Sequence, residues 1–166
     1  MFLKCYELMG FMSPELAQEI VEYVFANEKD TYRAVLAAVA EAHRVRPMFL
    51  ERRPRKLRHA QMIATLSRPR LEEGAATLMR SWLLGAESGM IAQFLDTLEI
   101  PHKDGVVEDF PEEVPDEKLN QAIDTLLEKY TPERVVVYLN TVRATGGVEW
   151  PNLEKRFRED ERLQLA

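Results

Sequence analysis

The residues of this chain best equipped for chemistry are three histidines (His43, His59 and His102), one cysteine (Cys5), several adjacent carboxylates and a dense run of arginines. The run is the most pronounced of these features. Arg44, Arg46, Arg52, Arg53, Arg55, Lys56 and Arg58 fall within fifteen positions, and residues 44–70 hold eight Arg and one Lys against a single acid, Glu51. A guanidinium grips carboxylate or phosphate as a two-pronged fork, which an ammonium cannot do. The run therefore suits an acidic protein surface or a polyanion backbone. Phe49 is the one aromatic residue inside it, too little for base stacking, so a protein partner or a second copy is expected ahead of nucleic acid. The chain carries complementary acid at 103–117, where Asp104, Glu108, Asp109, Glu112 and Glu113 are expected to form a second partner surface.

No pattern for group-transfer chemistry is present. The phosphate-cradling G-x-G-x-x-G and G-x-x-x-x-G-K-[ST] sequences do not occur, nor does the G-x-S-x-G of a nucleophile elbow. A di-iron bundle needs Glu-x-x-His twice; Glu99-Ile-Pro-His102 is the single copy, and Pro101 breaks the helix that would align its two ligands. His102 with Asp104, or the acids of 104–113, could approach a divalent ion. The alternating Asp/Asn order of a calcium loop is missing, however, and Asp104-Gly105 reads as a turn. Cys5 reads as a small apolar residue in a helix rather than a reactive thiol. The expectation is no catalytic residue, no metal and no cofactor. A small metal-binding or hydrolytic enzyme around His102 and its neighbouring carboxylates is kept as an alternative.

Charge and composition narrow the class. The net charge is −6, yet residues 44–70 carry +8, so the rest of the chain carries −14. Such segregation points to an electrostatic partner rather than to a fold. Hydrophobic residues make up 46% of 166 positions, ordinary for one globular domain. The longest uncharged stretch, 59–67, is about half of the ~20 residues a membrane span needs. The start has no long apolar run and one cysteine allows no internal disulfide, so a cytoplasmic protein without membrane contact is expected.

The elements that must position these residues read as helices throughout. Ser13-Pro14-Glu15 and Thr131-Pro132-Glu133 each offer a hydroxyl cap, a proline at the first helical position and an acid in the first turn. Ser67 and Ser88 are expected to cap two more helices, and Asp30 another. Gly10 is expected to stop a first helix at 2–9, Gly85 to end the helix from 71, and Gly146-Gly147 to end the one from 132. Tyr32, Val35, Leu36, Val39 and Ala40 form one stripe, and the further alanines around it suggest a central helix. On 55–66 the spacing predicts a buried stripe of Leu57, Ala60, Ile63 and Ala64, with Arg55, Arg58 and His59 pointing outward. Leu71, Ala75, Leu78 and Trp82 form another stripe, which puts Trp82 in the core. Val135-Val136-Val137-Tyr138-Leu139 has strand propensity, but its proline start and spacing favour helix. Residues 103–117 are the one long stretch expected to be non-helical, and 151–166 a charged terminal helix or tail. The expected fold is all-α, one domain of six to eight helices in antiparallel αα-hairpins at 14–43, 71–98 and 116–143. Its function is expected to be non-enzymatic protein interaction or scaffolding, with polyanion binding through 44–70 as the alternative.

Overall fold

The computed structural model describes residues 2–165 and is all-α. Ten α-helices are formed among the described residues: α1 Cys5–Phe11, α2 Pro14–Asn27, α3 Lys29–Ala42, α4 Pro47–Glu51, α5 Arg55–Leu66, α6 Glu72–Ala86, α7 Ser88–Thr97, α8 Asp116–Lys129, α9 Pro132–Gly146 and α10 Pro151–Glu159. No described helix is long and apolar enough to cross a membrane. The chain divides into two compact units, Lys4–Trp82 and a second made of Met1–Leu3 with Leu83–Ala166. The charge divides with them. Residues 4–82 hold 13 basic against 10 acidic side chains, and the remainder 9 against 18.

In the first unit the cap–proline–acid start of α2 forms as expected, with the Leu16 amide donating to Ser13 Oγ at 3.2 Å. Other boundaries differ. Gly10 lies inside α1, Gly85 lies inside α6, and Glu28 rather than Asp30 takes the N-cap position of α3. Ser67 ends α5 instead of starting a helix; its hydroxyl donates to the Ala64 carbonyl. Ser88 is the first residue of α7, with Glu87 as N-cap. Hydroxyl residues serve local carbonyls as readily as amides, so a serine near a helix boundary does not fix which end it serves.

The α3 stripe is buried as predicted. The helix is not central, because Ala34, Ala37 and Ala42 are exposed. Alanine there is a good helix former without being core. The end of α3 is a Schellman turn: the amides of Arg44 and Val45 donate to the carbonyls of Glu41 and Ala40, and Arg44 takes φ of 56° where glycine is usual. α5 packs on α1, α2 and α3.

In the second unit α9 is the surrounded helix. Seven consecutive residues, Val135 to Thr141, are buried, so the valine run is apolar on every side rather than a strand. Thr131 caps it and Gly147, at φ 65°, ends it. α7 packs on α8, and α8 in turn packs on α9 and α10. α10 is no frayed tail: Trp150, Leu153 and Phe157 are buried, as is Leu163 beyond it. The non-helical stretch is ordered by α10, because Trp150 Nε1 donates to the Pro111 carbonyl and Asn152 Nδ2 to that of Val114, both at 2.8 Å.

Trp82 is 1% exposed. Trp82→Ala should destabilise the protein by roughly 3–5 kcal/mol, the range for removing a large buried aromatic. Chemical denaturation of wild type and variant measures this, and an unchanged midpoint would mean its surroundings carry no packing energy.

Candidate functional site

The basic segment runs from the Schellman turn after α3, through α4, into α5. Arg44, Arg46, Phe49, Arg52, Arg53, Arg55 and Lys56 are exposed; Arg58 is not. Arg58 and His59 lie on the buried face of α5 with Met62, Thr65 and Leu66. The predicted stripe is thus on the wrong side. Leu57 is 63% exposed, Ala60 and Ala64 are exposed and Ile63 is half-buried.

The inversion is carried by a directed chain of hydrogen bonds across three helices. Arg58 Nε donates to Tyr32 Oη at 2.8 Å, and Arg58 Nη1 to the Glu51 carbonyl at 3.0 Å. Tyr32 Oη lies 2.9 Å from His59 Nε2, and His59 Nδ1 lies 3.0 Å from Glu22 Oε1. Protons can be placed on this chain in one consistent way. Tyr32 accepts from Arg58, so its own proton goes to His59 Nε2. His59 then carries its proton on Nδ1 and donates to the Glu22 carboxylate. Protonating Nε2 would leave the buried tyrosine proton without an acceptor. Phe25 closes the cluster, its ring centroid 5.0 Å from Tyr32 and 5.3 Å from His59, with the guanidinium carbons of Arg55 and Arg58 at 5.1 and 5.6 Å.

Electrostatics agree with the neutral imidazole. Burial pushes the His59 pKa below the ordinary histidine value; Glu22 opposes the shift, and Arg58 and Arg55 add to it. Burial also raises the Tyr32 pKa against the pull of Arg58, so its proton stays on. Both His59 nitrogens are committed, and the ring offers no free lone pair to a substrate. The chain's chemical effect is to hold the Glu22 carboxylate in one orientation. Glu22 faces a cleft of about 300 Å³ shared with Gln18, Arg55, Lys56 and His59.

His102 is tied into the hairpin that follows α7. Lys103 and Val106 exchange backbone bonds around Asp104-Gly105, both at positive φ, the signature of a type I′ turn. The Gly105 amide donates to His102 Nδ1 at 3.0 Å, so Nε2 carries the proton and donates to Asp96 Oδ1 at 2.8 Å. Glu99 ends α7 at φ 58° and pairs with Lys118. The structure therefore does not bring Glu99 and His102 together. Asp104 sits in the turn. Glu108, Asp109 and Glu112 line a cleft of about 600 Å³ beside the end of α9, and Glu113 is exposed outside it. Among the described residues no three His, Cys, Asp or Glu side chains are grouped to hold a metal. Cys5 is fully buried.

Sequence reasoning missed Glu22, Phe25, Tyr32 and His59 as a group. A signal was present: His59, Met62 and Leu66 form a second helical stripe on α5, passed over because it begins with a polar residue. No protein-family model, curated protein or solved structure matches the chain.

Tyr32→Phe removes the donor to His59 and the acceptor of Arg58, and should destabilise by about 1–3 kcal/mol in urea denaturation at neutral pH. The histidine fixes a pH dependence. Its folded pKa is depressed, so the unfolded chain takes up the proton first, near pH 6.5. Stability is full above that pH and falls as pH drops below it toward the folded pKa. The slope of melting temperature against pH between about 7 and 5 should flatten in His59→Gln. An unchanged slope would show that His59 is not the group responsible.

Proposed function

We propose that this protein is a non-enzymatic interaction domain whose surface at residues 44–57 meets acidic groups of another protein. One observation carries the reading: exposed apolar side chains are interleaved with arginines that have no carboxylate partner in their own unit. Val45, Met48, Phe49 and Leu57 are four of the seven large apolar residues exposed among those described. Arg44, Arg46, Arg52, Arg53 and Lys56 stand between or beside them, and no carboxylate of the same unit lies within ion-pair distance of any of the five; only Arg55 has one, Glu22 at 3.6 Å. Arg with Phe and Met is the composition of buried interface cores, whereas a merely solvated face favours Lys and Glu. Arg52 lies over the Phe49 ring, 6.0 Å from its centroid, so charge and apolar surface form one patch. The surface is also anchored from below, since Arg58 fastens the Glu51 carbonyl at the end of α4 to the buried chain.

The reading is tested by cross-linking in cells of the source organism, comparing wild type with Phe49→Glu/Arg52→Glu/Arg53→Glu at equal circular dichroism. The variant should lose cross-linked protein that wild type retains, and sedimentation velocity shows whether that protein is a second copy. Identical cross-linked sets would overturn the reading. Tight binding of duplex DNA that collapses between low and physiological salt would replace it with the polyanion alternative.

A further inference from the structure

The outward face of α5 is an apolar stripe with nothing over it. Leu57, Ala60 and Ala64 are exposed, and Ile63 is half-buried. The stripe continues into a groove of about 330 Å³ between α5, the end of α1 and the start of α2, whose walls include Gly10, Met12, Ala17, Ala60, Ile63 and Ala64. No charged side chain lines this groove. The small residues leave room for a backbone to approach closely, and from 57 to 64 the stripe runs about 10 Å, the length of two helical turns.

Charge decides the occupant. Arg53, Arg55 and Lys56 are exposed at one end of α5 and Arg68 and Arg70 at the other, with no acid anywhere from 52 to 71. A second copy does not fit. Pairing α5 with its own twofold mate, parallel or antiparallel, sets arginines against arginines. The large apolar residues exposed in the second unit, Leu84 and Val106, are far apart in sequence and form no helical stripe to fill the groove. With no charge lining the groove itself, the basic side chains that an occupant's acids can meet lie at the two ends of α5. We propose that the α5 groove docks an amphipathic helix of a different protein, with apolar residues along its centre and carboxylates at both ends. This deepens the reading of the basic segment as an interaction surface by naming the seat and the ligand chemistry.

The probe is a fluorescent synthetic peptide of about 16 residues, long enough to cover the stripe, with leucines on one helical face and glutamates at both termini. A control has lysine for each glutamate. Fluorescence anisotropy with the full chain should show the glutamate peptide binding at least about tenfold tighter than the lysine peptide. Ala60→Glu/Ala64→Glu changes exposed positions on a helix and should keep the wild-type circular dichroism while weakening binding by about tenfold or more. Arg53→Glu/Arg68→Glu should remove the preference for glutamate ends. Equal binding of the two peptides, or full binding by Ala60→Glu/Ala64→Glu, overturns the proposal. A homodimer that dissociates in Ala60→Glu/Ala64→Glu also overturns it, in favour of a second copy. If only Phe49→Glu/Arg52→Glu/Arg53→Glu loses the peptide, the groove is refuted and the broader interaction reading survives. If the groove binds while that triple variant keeps every cellular partner, the groove stands and the α4 surface falls.

Discussion

The hydrogen-bonded chain from Arg58 through Tyr32 and His59 to Glu22 is the constraint on which the first unit depends. It joins α5, α3 and α2 by side chains whose donor and acceptor roles leave one consistent arrangement. A buried guanidinium and a buried imidazole are expensive unless every polar atom near them is matched, and here each link matches the next. Phe25 supplies an apolar wall and the aromatic face on which the guanidinium groups rest. With that chain in place, the rotation of α5 about its axis is fixed, because His59 and Arg58 must point inward.

Fixing the rotation has a consequence for the surface. Turning Arg58 and His59 inward turns Leu57, Ala60 and Ala64 outward, and this gives the basic segment its exposed apolar component. The same arginine that closes the chain holds the Glu51 carbonyl, so α4 and its exposed Met48 and Phe49 are positioned by the buried cluster. A charged and apolar surface on a rigid support presents side chains with little ordering cost on association. Of the arginines in the segment, Arg58 is core and the others are exposed.

The second unit solves a different problem. Its central helix, α9, is buried through seven consecutive residues, and two of its buried polar side chains turn to local carbonyls: Asn140 Nδ2 donates to Val136 and Thr141 Oγ1 to Val137. Asn140 also accepts from the Leu3 amide at 2.7 Å, and Phe2 stacks near Phe157 and under Arg143. The first residues of the chain thereby belong to the unit formed by its last half. The acidic stretch is held by backbone-directed bonds from Trp150 and Asn152, which leaves its carboxylates exposed while its backbone is fixed.

Local chemistry decided the helical class of this protein, the proline-started helices α2 and α9, and the non-helical acidic stretch with its Asp104-Gly105 turn. Each rests on interactions within a few residues, which a sequence displays. The ends of α3 and α7 fall within a residue of the expected 43 and 98, although Arg44 and Glu99 occupy the left-handed positions where glycine is the usual signal. The face of α5 was not decidable locally. Two stripes of similar apolar content compete on it, and hydrophobicity favours the one without charge. What reversed the choice is the match between His59, Tyr32, Arg58 and Glu22, residues up to 37 positions apart. Only tertiary structure brings those partners together, and a polar group's preference for burial depends on whether its partner is there.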